Sequence, residues 1–191
     1  MSTVSTNKLS EVAKRIREMR EIFGLSQAEM AEKAEVTVED YAKEIPVFFS
    51  YNMSMGVSLL CELAKTAAKV LGSDFDIEIV EAHHNQKLDA PSGTALMLAD
   101  AIKEELPDVY YEYDRHSKRQ KRNEKEIGIH SIRGGNIVGE HEVIFAGNDE
   151  IVKLSHSARS KAIFAQGAVN AANFLNGKTP RIYSMKDLVN G

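Results

Sequence analysis

The apolar pattern of this chain changes period several times, and each change predicts an element. Val12, Ile16, Met19 and Phe23 fall on one helical face, predicting an amphipathic helix over residues 9–23 that Gly24 ends. Ser26 caps a second, short helix running to Lys33, with Glu29 at the capping-box position. A third begins at Thr37, again a cap, with Asp40 three residues on. Val47-Phe48-Phe49, after Pro46, reads as a buried strand. Val57, Leu60, Ala64, Ala67, Ala68 and Leu71 then form one stripe of a helix over residues 53–71, stopped by Gly72. Residues 75–80 read as a strand, and 95–102 as a helix that Pro107 closes off. The charged stretch from Tyr110 to Glu126 reads as a solvated loop. Strands follow over 127–132, 137–146 and 150–156, the last two joined as a hairpin by Gly147-Asn148-Asp149. A helix over 160–176 stops at Gly177 before a short tail. This order predicts an α+β fold: a mixed or antiparallel β-sheet covered by helices on one face, with a small N-terminal all-α segment.

Composition narrows the class. With 191 residues, 43% hydrophobic and 27% charged, the chain is an ordinary globular one with room for one good domain and a small appendage. No apolar run is long enough to span a bilayer, and no charged-then-apolar leader opens the chain. The single cysteine, Cys61, falls in a helical apolar pattern and reads as a small buried hydrophobe. One cysteine excludes a disulfide framework or a cysteine zinc site, and no metal is expected; the setting implied is the cytoplasm. A net charge of −4 opposes a protein built around nucleic-acid affinity.

The richest chemistry lies in Glu81-Ala82-His83-His84-Asn85-Gln86-Lys87-Leu88-Asp89-Ala90-Pro91-Ser92-Gly93-Thr94-Ala95. This strand-to-helix connection holds two histidines and a lysine beside a helix start. Ser92 or Thr94 can cap the helix, and Gly93 lets a ligand approach the backbone. The free first-turn N–H groups attract an anion, and Lys87 adds a full positive charge. A carboxylate-bearing substrate is the expected occupant, with a histidine placed to move a proton.

This run closely resembles the substrate-site signature of the bacterial 4-hydroxy-tetrahydrodipicolinate reductases of lysine and diaminopimelate synthesis. Further stretches carry the resemblance: Ser50-Tyr51-Asn52-Met53-Ser54-Met55-Gly56-Val57, the run from Ile129 to His141 through Arg133-Gly134-Gly135, and Ser155-His156-Ser157-Ala158-Arg159-Ser160-Lys161 with Phe164 to Ala168. It covers residues 44–188 in family order. The resemblance implies that His83 is the general acid and Lys87 assists it. It implies that His84, Ser92, Gly93, Thr94 and Lys161, with Arg159 beside it, hold the carboxylates of 4-hydroxy-tetrahydrodipicolinate or pyridine-2,6-dicarboxylate. Asn52 takes either a core or turn-capping role or a place near the nicotinamide of NADH or NADPH, and the assembly implied is a homotetramer. His130, His141 and His156 lie on predicted strands without ligand-like spacing and read as structural.

The helices ahead of Glu44 are similar to the opening of repressor-like helix-turn-helix domains. The division expected is a flexible tail over 1–7, a partial helix-turn-helix segment over 8–43, and a reductase-like substrate and oligomerisation domain over 44–191. Seven Lys/Arg face nine Asp/Glu in residues 1–44, and Glu39 and Asp40 would meet phosphates, so DNA is not the expected partner. The reductase family holds its nucleotide in a Rossmann domain, yet no G-x-G-x-x-G occurs in this sequence. The reading is a substrate half joined to a helical segment, a chimera unable to hold its nucleotide and weakly active or inactive. The alternative is a DNA-binding regulator whose oligomerising domain senses a dicarboxylate.

Overall fold

The computed structural model describes residues 37–190, with Ile22, Gly24 and Glu29 ahead of them. The two helices expected before residue 34 and the tail over 1–7 lie outside the described residues, and with them most of the helix-turn-helix reading. What is described falls into two compact units, one of residues 37–47 with Gly177–Ile182, the other of residues 48–176 with 183–190.

In the first unit, helix α1 (Val38–Tyr41) is a single turn. The expected cap is there: Thr37 accepts from the Asp40 N–H, and the Asp40 carboxylate accepts in return from Thr37. Strands β1 (Pro46–Phe48) and β7 (Arg181–Tyr183) form a two-stranded ribbon. The tail is therefore structured; beyond β7 it ends in helix α5 (Met185–Asn190), which belongs to the second unit.

The second unit holds the main sheet, of strands β2 (Asp76–His83), β3 (Tyr110–Glu112), β4 (Glu126–Arg133), β5 (Gly139–Ala146) and β6 (Ile151–Ala158). Their spatial order is β3-β4-β2-β5-β6. β2 runs parallel to β4 and antiparallel to β5, β3 is parallel to β4, and β5 and β6 form the expected hairpin. The sheet is thus mixed, as the element order predicted.

Helices α2 (Met55–Leu71) and α3 (Gly93–Glu105) supply the apolar cover. Leu60, Ala64 and Ala68 of α2 and Ala95, Leu98, Ala99 and Ile102 of α3 pack on Ile77, Ile79, Ile127, Ile129, Val143 and Phe145 of the sheet. The alternation of a strand sends every second side chain to that face. On β2 the helix-facing residues are Ile77 and Ile79, then Glu81 and His83; on β5 they are Phe145 and Val143, then His141 and Gly139, in register with them. One face of one sheet is therefore apolar at one end and polar at the other.

Several boundaries differ from the sequence reading. β2 extends to His83, so the first histidine stands on a strand rather than in a loop. α2 starts at Met55, because Ser54 caps it by accepting from the Val57 N–H. Helix α4 (Ala162–Phe174) is shorter at both ends than its apolar pattern. The charged stretch 110–126 is not simply solvated. It begins with β3, and Arg122 binds Glu78 at 2.9 Å, Asp76 at 2.6 Å and the Ile77 carbonyl at 2.9 Å. Lys118 pairs with Glu112 and Arg115 with Glu126, so strand-borne carboxylates absorb much of that positive charge.

Candidate functional site

Glu81 organises the polar end of the sheet. Its side chain is fully buried, and its carboxylate accepts hydrogen bonds from four directions. Arg133, opposite His83 on β4, donates from both terminal nitrogens at 2.7 and 2.8 Å. His83 Nδ1 lies 2.6 Å from Oε2, and the Ser92 backbone N–H donates to Oε1 at 3.1 Å. Burial pushes this carboxyl up, but the hydrogen bonds from Arg133, Ser131 and His83 outweigh it and hold the group at about 2. A buried anion with this many donors is satisfied.

Two consequences follow from that one carboxylate. It fixes the face of the His83 ring, engaging Nδ1 and leaving Nε2 on the side of Gly139. It also anchors Ser92, the N-cap of α3, whose hydroxyl accepts from the Ala95 N–H at 3.2 Å. The histidine and the helix N-terminus therefore share a single support. Gly139 on β5 leaves room for the ring: a Cβ there would stand 3.2 Å from His83 Nε2.

His141, read from the sequence as structural, stands in this cluster. It is 5% exposed, and its ring meets that of His83 edge-on at 5.2 Å. Its Nε2 is 3.0 Å from Ser92 Oγ. The other ring nitrogen, Nδ1, is buried without a hydrogen-bond partner. Burial first, then the neighbouring His83, push the His141 imidazole down to about 4.

The remaining predicted residues divide. Thr94 Oγ1 accepts from Asn52 Nδ2 at 3.0 Å, while Asn52 Oδ1 accepts from the Ser54 N–H at 2.8 Å. Asn52 thereby ties the start of α2 to the start of α3, bringing two helix N-termini together. Gly93 opens α3, where a side chain would meet open space. Lys87 lies in the loop between His83 and Ser92, its ammonium 2.8 Å from Asp89. The His84 carbonyl accepts the Lys87 N–H, and Arg133 donates to the Asp89 carbonyl at 2.6 Å, so the loop is held at both ends. Lys161 and Arg159 are exposed, without a bond to the loop. They follow Ala158, which pairs with Gly139, so the chain delivers them to the same end of the sheet. His130 pairs with Glu78 at 2.8 Å on the opposite face, and the His156 ring lies against Gly56 of α2.

Sequence reasoning did not single out Glu81, Arg133, His141 or Gly139. Their one sequence signal was polarity on helix-facing strand positions, and only the register reveals which positions those are. Among the described residues no cluster of histidine, cysteine, aspartate or glutamate could hold a metal ion, and no helix is long and apolar enough to cross a membrane.

Residues 56–189 match the family model described as dihydrodipicolinate reductase, C-terminus. The 4-hydroxy-tetrahydrodipicolinate reductase of Caldanaerobacter subterraneus subsp. tengcongensis is 54% identical over 185 residues, covering 96% of this chain and 71% of that protein. That match extends ahead of Glu44. The enzyme of the same name from Staphylococcus epidermidis is 53% identical over 151 residues, covering 79% of this chain and 62% of its own length. Among solved structures, a dipicolinate-bound dihydrodipicolinate reductase from Paenisporosarcina sp. TG-14 superposes with a TM-score of 0.59 at 25% identity, covering 83% of this chain and 59% of that one. The chain thus spans from about 60% to 71% of the lengths of these proteins. By family model and by identity, it belongs to the dihydrodipicolinate reductases, through their C-terminal domain.

Proposed function

We propose that residues 44–191 form the substrate domain of a 4-hydroxy-tetrahydrodipicolinate reductase and bind a cyclic dicarboxylate at the polar end of the sheet. The observation that carries this reading is the sharing of Glu81 by His83 and Ser92. One buried carboxylate sets a proton-bearing imidazole beside a helix N-terminus, and Asn52 brings a second N-terminus to it. Two N-termini suit two carboxylates. The dicarboxylate named for the Paenisporosarcina structure has that chemistry.

In this account Ser92, Gly93 and Thr94 hold one carboxylate through first-turn N–H groups and hydroxyls, and Lys87 exchanges Asp89 for the ligand. His84 and Lys161 close over the remaining oxygens. His83 Nε2–H, assisted by Lys87, supplies the proton that completes reduction of the ring. The family's hydride donor is NADH or NADPH. The chain's residues do not fit a dinucleotide by themselves: no glycine phosphate loop is present, and Asn52 is committed to Thr94 and Ser54. Reductase activity of this chain alone is therefore expected to be weak or absent. The open face of the sheet is read as a tetramer contact.

Calorimetric titration with pyridine-2,6-dicarboxylate tests the site. Saturable one-to-one binding is expected, weakened at least about tenfold, or 1.4 kcal/mol, by Lys87→Ala or Thr94→Val. Arg119→Ala, in the charged loop, should leave it unchanged. Undiminished binding by the Lys87 and Thr94 variants would remove the proposed site. Titration with NADH is expected to show no saturable binding.

A further inference from the structure

We propose that Glu81 and Arg133 act as a positioning pair that sets the tautomer of His83 and holds its ring in place. This rests on the reading of His83 as the proton donor, and it assigns work to two residues outside the predicted site. Glu81 touches no substrate; it acts through the imidazole.

The geometry gives each partner a distinct role. Glu81 Oε2 is 2.6 Å from His83 Nδ1, so the carboxylate holds a proton on that nitrogen whether the ring is neutral or charged. A free neutral imidazole prefers no such arrangement. Nε2, beside Gly139, is then the nitrogen left to gain and lose the mobile proton. Arg133 fixes that carboxylate in turn. Its two bonds at 2.7 and 2.8 Å grip both carboxylate oxygens, so the acceptor cannot swing away from Nδ1. Arg133 also donates to the Asp89 carbonyl at 2.6 Å. Asp89 holds Lys87, so a ligand that draws Lys87 away disturbs the loop whose backbone Arg133 grips.

The pair therefore chooses which nitrogen of His83 carries the fixed proton, a readout that a merely structural pair would not move. Nitrogen-15 NMR of the full chain reads this without any ligand. In the unaltered protein, His83 is expected as the Nδ1–H tautomer when neutral. Glu81→Gln, whose amide can donate to Nδ1 as readily as accept from it, should bring the Nε2–H tautomer to a comparable share. Arg133→Met, which keeps the carboxylate, should retain the Nδ1–H tautomer as the majority form. Circular dichroism on both variants checks that they fold; if Glu81→Gln fails to, Glu81→Asp, with its carboxylate retracted, should raise the Nε2–H share by a smaller amount. An Nε2–H tautomer in the unaltered chain, or an unchanged tautomer in the Glu81 variants, would overturn the proposal. Titration of the same samples with pyridine-2,6-dicarboxylate keeps the two readings apart. Absent binding with the tautomer change would count against the substrate site alone; normal binding with no tautomer change would count against the pair alone.

Discussion

His141 makes a pH prediction that belongs to a single residue. Its folded value of about 4 lies below the ordinary 6.5, so the unfolded chain takes up a proton that the folded one refuses. Its contribution is complete above pH 6.5 and is lost as pH falls toward 4, on the order of 3 kcal/mol over that window. Glu81, held at about 2, adds a second loss below pH 4.5. Urea unfolding across pH 7 to 4 should show falling stability, and His141→Gln should flatten the upper part of that fall. A second expectation concerns Cys61, whose thiol burial pushes up to about 12. It should react with iodoacetamide at pH 8 far more slowly than a free thiol. At this scale the sequence was legible where chemistry is local. Ser92 could be read as a cap from its own neighbours. Glu81 and Arg133 lie 52 positions apart, and nothing local pairs them.

Among elements, the tightest joint is α4 against the chain before α2. A Cβ on Gly167 would lie 1.7 Å from the Met53 carbonyl oxygen, a backbone atom that cannot turn aside. Gly167→Ala should cost about 2 kcal/mol or more, since overpacking of this kind displaces a whole helix. Chemical denaturation checks it; an unchanged midpoint would mean that α4 is not held there. The long elements α2, β4, β5 and β6 were legible because each repeats its period for two turns or more. β3 and β7 were not, being three residues each and flanked by charge. Arg122 shows why the charged stretch misled: its run looks solvated, yet its guanidinium ties β2 to the start of β4.

For the whole molecule, the sheet has one face packed by helices and another carrying Glu78, His130, Glu142, Ile144 and Lys153 in part or full exposure. Among the described residues β6 is also an edge strand, paired only with β5. A homotetramer built on this sheet is expected to run, by light scattering, at about four times the 21.2 kDa chain mass. A monomer at micromolar concentration would count against that assembly. The fold class was legible from element order alone. Which end of the sheet bears the site was not, because that depends on the register between β2, β4 and β5.

A dicarboxylate is proposed to sit between His83 and the start of α3. Amide and imidazole NMR shifts followed during addition of pyridine-2,6-dicarboxylate test it most directly. Saturating shifts are expected at the backbone amides of Gly93, Thr94 and Ala95 and at His83 Nε2, with one common dissociation constant. Saturating shifts confined to other parts of the chain, with those groups unmoved, would contradict it.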